Sequence, residues 1–104
     1  MGFNYADILK QAKVMQQKME KIQEELKNTE FEASAGGGVV KVKVNGDQEV
    51  ISVTINKEMV DMDDLEMLED MMLVAANDAI SQSKAESKAR MASLTGGMNM
   101  PGMF

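Results

Sequence analysis

The sequence predicts an α+β protein in which a long helix is followed by a three-stranded antiparallel sheet and a second long helix. Three observations support this prediction. No glycine or proline interrupts residues 5–28, residues 29–55 alternate between apolar and polar side chains around glycine-containing turns, and residues 63–94 return to a helical period. The 104 residues are the size of one domain. We expect that domain to span residues 1–94 and a flexible Gly/Met-rich tail to follow at 95–104.

The first helix is rich in Lys, Gln, Glu, Met and Leu, which are good helix formers, and its expected N-cap is Asn4 or Asp7. Its apolar residues recur at alternating intervals of four and three, which defines a heptad seam. The seam consists of Ile8, Ala12, Met15, Met19, Ile22 and Leu26. It packs either against the same chain or, in part, against another subunit. A helix of about 36 Å is longer than an eight-residue strand of about 27 Å, so we expect the seam to extend beyond the sheet.

Three alternating runs predict an antiparallel meander with one apolar and one polar face. In the first run Phe31 and Ala33 share one side. The apolar face of the other two runs consists of Val40, Val42, Val44, Ile51, Val53 and Ile55. Lys41 and Lys43 lie on the opposite face, where they are solvated, protect a sheet edge or contact an anion. The pair Asn45–Gly46 predicts a tight hairpin turn with positive φ at both residues.

The three glycines Gly36, Gly37 and Gly38 follow the first strand and raise the question of a phosphate-binding loop. Such a loop needs a glycine, four further residues, Gly-Lys-Ser/Thr and then a helix. Here the glycines are contiguous and a strand follows them. We therefore interpret them as a turn or bulge.

The second helix is expected to start at Asp63, with Glu66 at capping-box spacing. Its seam, which matches that of the first helix, consists of Leu65, Leu68, Met72, Ala75 or Ala76, and Ala79. Asp61 and Asp64 add to the acidic cluster at its start, which suits the positive pole of the helix dipole. The cluster lacks the ligand spacing, turning glycine and distal glutamate of a calcium loop. We interpret these acids as caps and solvated surface, and no metal site is predicted.

The net charge of −6 is concentrated in one block of the sequence. Residues 57–80 carry a net −7, whereas residues 1–28 carry +1 and residues 81–104 carry +2. An acidic balance argues against nucleic acid, but both ends of this chain are mildly basic and can meet an anion.

The chemical inventory excludes several classes of enzyme. The chain has no cysteine and no histidine, and therefore no disulfide, Cys/His zinc site, thiol nucleophile or histidine base. We predict a protein that is not an enzyme and that uses no cofactor and no small-molecule substrate. No apolar run approaches the roughly 18 residues of a membrane span, and the start lacks a signal-peptide core. These features predict a cytoplasmic protein with no membrane partner.

Four motifs together resemble the YbaB/EbfC family of bacterial nucleoid-associated proteins. They are KQAKVMQQKMEKIQEEL in the first helix, AGGGVVKVKVNGDQEVISVTI in the sheet, DLEMLEDMMLVAANDAI in the second helix, and the closing LTGG and PGM. The resemblance runs in order over nearly the whole chain. It implies a tight homodimer with the sheets at its centre and the long helices projecting like tweezers. It also implies DNA binding without an active site and a role in nucleoid organisation or gene regulation.

The resemblance identifies no individual contact residues, so the candidates come from the charge pattern. Antiparallel packing of the helices would bring their basic ends together, and two-fold symmetry would double that cluster. The candidate DNA-binding residues are Lys10, Lys13, Lys18, Lys84, Lys88 and Arg90. The candidate dimer interface consists of Val40, Val42, Val44, Ile51, Val53 and Ile55. Contacts of this kind reach mostly phosphates, so binding should be sensitive to salt and low in sequence selectivity.

The alternative hypothesis is a dimeric scaffold or adaptor that binds another protein through its methionine-rich helical surfaces. Methionine is flexible and polarizable, and it serves adaptable binding surfaces well. The chain has twelve methionines. Its net negative charge favours the scaffold, whereas the resemblance and the basic ends favour DNA.

Overall fold

The computed structural model describes residues 4–94, and its element order confirms the predicted α+β fold. The elements are α1 (Tyr5–Lys27), β1 (Glu30–Ala35), β2 (Val40–Asn45), β3 (Val50–Ile55) and α2 (Leu65–Leu94). The flexible tail predicted for residues 95–104 lies outside the described residues.

Helix α1 is capped at its start and buried only near its end. Oδ1 of Asn4 accepts a hydrogen bond from the N–H of Asp7 at 2.8 Å, so Asn4 is the N-cap, one of the two predicted alternatives. Every residue from Tyr5 to Lys18 is exposed, and Leu26, with 2% exposure, is the one buried residue of the helix. The first half of α1 (residues 5–18, the α1 arm) therefore extends beyond the rest of the protomer, as the length comparison predicts.

The sheet is an antiparallel meander in the order β1-β2-β3, and α2 packs across β1 and β2. Val42 is the centre of the register, paired with Ala33 on one side and Val53 on the other. The core consists of Ala33, Val39, Val40, Val42, Val44, Ala75 and Ala79. Because paired residues point to the same side of a sheet, Val53 faces the side that α2 covers, but it lies on the strand beyond the helix and remains 46% exposed.

The two connections between strands use glycine for different reasons. Gly36, Gly37 and Gly38 have φ values of 66°, 71° and 106°, so the run is a turn, as predicted, and uses the left-handed region that glycine enters freely. Val39 ends this turn and is buried in the core, although the alternation places it on the polar face with the lysines. The turn precedes β2, so the strand alternation does not yet apply to Val39.

The β2–β3 connection differs from the predicted two-residue turn. The N–H of Gln48 donates to the carbonyl oxygen of Asn45 at 3.1 Å. The N–H of Asn45 donates to the carbonyl oxygen of Glu49 at 3.0 Å. The loop is therefore three residues long, 46–48, with positive φ at its last position, Gln48 (62°), rather than at the Asn-Gly pair.

Gly46 is required by space rather than by its φ angle. Its N–H donates to the carbonyl oxygen of Leu26 at 2.8 Å. A Cβ atom on Gly46 would lie 2.6 Å from Cβ of Leu26. The absence of a side chain thus lets the turn contact the end of α1 directly.

The start of α2 confirms a capping role for one of the clustered acids, at a position different from the one predicted. Oδ1 of Asp64 accepts a hydrogen bond from the N–H of Met67 at 3.1 Å, so the N-cap is Asp64 rather than Asp63. Oδ1 of Asp61 accepts from the N–H of Asp63 at 2.9 Å. The cluster therefore stabilises the entry into the helix.

The molecule is elongated. It measures 74 × 23 × 15 Å with a radius of gyration of 19.7 Å, whereas a compact domain of this length has about 13 Å. Two long helices around a small sheet account for the difference, and they leave much of each helix surface in solvent.

Candidate nucleic-acid interface

The α1 arm presents a basic face. Residues 8–19 contain three lysines, Lys10, Lys13 and Lys18, and no acidic residue, and all three lysines are exposed. At about 100° of rotation per residue, Lys10 and Lys13 fall on the side of the helix opposite the seam that ends in Leu26, whereas Lys18 lies at the flank of that seam. Lys10 and Lys18 also line one shallow groove along the helix. We refer to these three lysines as the α1 basic face.

Helix α2 presents a second basic face beyond its buried segment. Lys84 and Lys88 are exposed and lie one helical turn apart. Their side of the helix is away from Ala79 and Ser83, which are buried against the rest of the protomer. We refer to Lys84 and Lys88 as the α2 basic face.

Arg90 differs from the other candidates because it already has an acidic partner. Its Nε donates to Oε1 of Glu86 at 2.9 Å, and its side chain is 32% exposed. It lies on the inner side of α2, where it lines a groove with residues of the second half of α1. That groove is lined by Lys21, Glu24, Glu25, Asn28, Thr29 and Arg90. The positive charge of Arg90 is therefore partly offset by Glu86 before any ligand binds.

Arg90 lines the same groove as Lys21, which lies one helical turn beyond the α1 basic face. The expected proximity of Lys10, Lys13 and Lys18 to the basic residues of α2 stays a prediction. Lys21 itself belongs with the α1 basic face by helical rotation, and the sequence interpretation omitted it. Its spacing of three residues from Lys18 is the sequence pattern that identifies it.

The acidic block is displaced along α2 from the α2 basic face. It is concentrated around the start of α2, between Asp61 and Asp70. The 14 residues from Asp70 to Lys84 extend about 21 Å along the helix at 1.5 Å per residue, which is more than twice the Debye length of roughly 8 Å at physiological salt. The repulsion that the block exerts on an anion at Lys84 is therefore largely screened.

The structure divides the predicted dimer residues into two groups. Val40, Val42 and Val44 are completely or almost completely buried in the protomer, because α2 covers β2, so they have no surface left for a partner. Ile51 and Val53 are 49% and 46% exposed, and Ile55 is half-buried. Among the six predicted residues, those that remain accessible thus lie on the apolar side of β3.

The lysines on the outer side of the sheet have different surroundings. Nζ of Lys43 lies 3.6 Å from Oε1 of Glu30 on the adjacent strand, whereas Lys41 is exposed. The carboxylate of Glu30 makes Lys43 the weaker candidate for an anion contact. Within residues 4–94, no group of three or more His, Cys, Asp or Glu side chains is arranged to hold a metal ion. No helix in that range is long and apolar enough to cross a membrane.

The chain is a helix–sheet–helix fold with exposed lysines on both long helices. A profile of the YbaB/EbfC DNA-binding family matches residues 1–98. The chain belongs to that family.

Relatives are similar over nearly their whole length. A nucleoid-associated protein of Clostridium novyi is 52% identical over 99% of this chain and 90% of its own. A nucleoid-associated protein of Desulforamulus reducens is 53% identical over 100% of this chain and 99% of its own. The crystal structure of an uncharacterized protein from Helicobacter pylori has the same fold, with a TM-score of 0.82 over 91% of this chain and 100% of that one, at 21% identity.

Proposed function

We propose that this chain is a nucleoid-associated protein that binds duplex DNA as a homodimer, with low sequence selectivity, and thereby affects nucleoid organisation or gene expression. The observation that carries the proposal is the charge arrangement of the helices. An acidic protein with a net charge of −6 exposes lysines on the α1 and α2 basic faces, and the α2 basic face lies about 21 Å along the helix from the acidic block by the helical rise. Membership of a DNA-binding family and the names of the relatives support it.

Low selectivity follows from the kind of side chain available. Phosphate contacts position a protein on DNA but carry no sequence information, whereas a bidentate contact to a guanine edge suits the planar fork of arginine better than the point charge of lysine. The chain has one arginine, Arg90, and its guanidinium is held by Glu86. Lysines on exposed helix faces therefore supply most of the binding, and the target is the DNA backbone.

A homodimer is proposed because β3 leaves apolar surface uncovered and because pairing doubles the basic faces. Val50, Ile51 and Val53 are all about half exposed and lie at the edge of the sheet. Joining two such edges would place the sheets centrally and let the long helices project. Two copies of each basic face would then contact one duplex together.

The test is a titration of labelled duplex DNA at several salt concentrations, using wild type and Lys84→Glu/Lys88→Glu. For wild type, the logarithm of the affinity should fall linearly with the logarithm of salt concentration, and each phosphate that a variant no longer binds should reduce the slope by about 0.9. The matched control is Lys27→Glu/Lys57→Glu, which changes the charge equally at two exposed lysines outside both basic faces. Absence of binding at low salt, or equal weakening in both variants, would contradict the proposal.

A second candidate function, a protein-binding scaffold, rests on exposed apolar side chains around the first half of α2. Met62 and Met67 are 68% and 53% exposed, and Leu73 and Val74 are more than half exposed. Flexible methionines suit a surface that adapts to a partner. A dimer that binds no duplex DNA at low salt is the result that favours this function over the first.

A further inference from the structure

The β2–β3 turn, residues Asn45–Glu49, is hydrogen-bonded to both long helices. On one side, the N–H of Gly46 donates to the carbonyl oxygen of Leu26 at the end of α1, at 2.8 Å. On the other, the hydroxyl of Ser83 in α2 donates to the carbonyl oxygen of Asn45 at 2.7 Å. One short turn thus joins the two elements that carry the basic faces.

Ser83 is a buried polar residue with a complete set of partners. Its side chain is fully buried, and its oxygen also accepts a hydrogen bond from Nε2 of Gln48 at 3.0 Å. It is the last buried residue of α2, and Lys84 follows it directly. The hydroxyl therefore holds α2 at the point from which the α2 basic face continues.

Gln48 has a backbone conformation that favours glycine or asparagine. Its φ is 62°, in the left-handed region that is unfavourable for a side chain of this length. Its Nε2 donates both to the carbonyl oxygen of Gly46 at 2.7 Å and to Ser83. The side chain thus connects the part of the turn that touches α1 with the residue that anchors α2.

We propose that the β2–β3 turn sets the spacing between the α1 and α2 basic faces, and that Ser83 and Gln48 are positioning residues for DNA binding. The proposal rests on the proposed function, because it assigns the turn a role in that binding. The phosphates of a duplex have a fixed spacing, so lysines held at a matching distance bind several of them without a further ordering cost. If the helices move independently, fewer lysines reach phosphates at the same time.

The distance between α1 and α2 is measured by electron spin resonance between spin labels on Gln17→Cys in α1 and Ser93→Cys in α2. Both positions are exposed, and the chain has no cysteine of its own, so only these sites take the label. Diluting labelled chain into an excess of unlabelled chain restricts the measurement to one protomer. The measurement does not depend on DNA.

Two variants break the connection in different ways. Ser83→Ala removes the buried hydroxyl, and Gln48→Gly removes the side chain while suiting the positive φ, so that the turn itself is retained. Ser81→Ala is the control, because Ser81 is exposed on the same helix. We expect both variants to broaden the distance distribution, to weaken DNA affinity about three- to tenfold and to reduce the salt slope by about 0.9, the value of one phosphate, whereas the control matches wild type.

The outcomes separate this inference from the proposed function. Unchanged distances in both variants, or broadened distances with wild-type affinity and salt slope, overturn the positioning role while DNA binding stands. Failure of the wild-type protein to bind duplex DNA overturns the proposed function and this role with it. The positioning role is supported if Gln48→Gly has a broadened distance distribution and a reduced salt slope while its dimer mass and helix content match wild type.

Discussion

The N–H of Gly46 and the carbonyl oxygen of Leu26 form a hydrogen bond of 2.8 Å that joins the β2–β3 turn to the last turn of α1. A carbonyl at this end of a helix has no partner within the helix, and that of Leu26 accepts from the N–H of Thr29 at 3.0 Å as well as from the turn. Leu26 is also the one buried residue of α1. The attachment of the helix to the sheet therefore depends strongly on this single region.

The first prediction is that Gly46→Ala destabilises the protein. The added Cβ would overlap the backbone and Cβ of Leu26, and crowding of this kind costs about 1–3 kcal/mol in the free energy of unfolding. Urea denaturation followed by circular dichroism measures it. Asp47→Ala in the same turn is the control, because Asp47 is exposed and its replacement should change stability by no more than about 0.5 kcal/mol. Equal stability of the two variants would show that the turn has room to move away from α1.

The second prediction compares two glycines with similar backbone angles. Gly36 and Gly37 have φ of 66° and 71°, but a Cβ on Gly37 meets open space, whereas one on Gly36 meets the sulfur of Met71. Alanine at Gly37 should cost about 1–2 kcal/mol from its backbone conformation alone. Alanine at Gly36 should cost about 1 kcal/mol more.

A double-mutant cycle with Met71→Ala checks the source of that difference. Removing the sulfur should bring the cost of Gly36→Ala close to that of Gly37→Ala. Thermal or urea unfolding of the variants supplies the numbers. If the extra cost persists without Met71, the contact with its sulfur is not the cause.

The sequence predicted the elements well because local patterns determine them. The alternation around Phe31 and Ala33 predicted β1, and the uninterrupted helix formers and Asn4 predicted α1. Two differences at the sheet arose from tertiary contacts. The pair Asn45–Gly46 has a strong local turn preference. Glycine is required at position 46, however, because Leu26 leaves no room there for a Cβ atom. The sequence predicted which side of β2 is apolar. It did not predict that α2 covers that side, and Val42 was therefore expected at a dimer interface.

Ser83 illustrates why the candidate site was harder to predict than the fold. It occurs where the apolar stripe of α2 fades into small and polar residues, which suggests a solvated surface. Its burial depends on a carbonyl oxygen 38 residues earlier in the chain, and no local pattern indicates that partner. Lys21, by contrast, was detectable from its spacing to Lys18.

The third prediction tests the role of β3 in the homodimer. Val53→Asp should shift the solution mass from dimer to monomer, because an unpaired carboxylate in an apolar interface is strongly unfavourable. Thr54→Asp is the matched control, since Thr54 is the next residue, pairs with Lys41 and lies on the other side of the sheet. Light scattering coupled to size-exclusion chromatography measures the mass. A Val53→Asp dimer as stable as wild type would place the interface elsewhere.

The fourth prediction is a gain of DNA affinity in Glu86→Gln. The carboxylate of Glu86 holds Arg90 at 2.9 Å and lies two residues from both Lys84 and Lys88 in the sequence. Its neutralisation removes a negative charge that repels phosphate and releases the guanidinium, so the salt slope should rise by up to about 0.9. Glu58→Gln, an equal charge change in the loop before α2, is the control and should have a smaller effect. Equal gains in both variants would indicate a general charge effect rather than release of Arg90.

The elongated shape has a consequence for how much duplex one protomer can follow. Its 74 Å length is close to two turns of B-form DNA at about 34–36 Å each. A protomer aligned with the duplex axis would meet the same groove twice, whereas one lying across it would meet the duplex over a small part of its length. Footprint length on long DNA therefore distinguishes these two orientations directly, and oligonucleotides of a single helical turn would not reveal the difference.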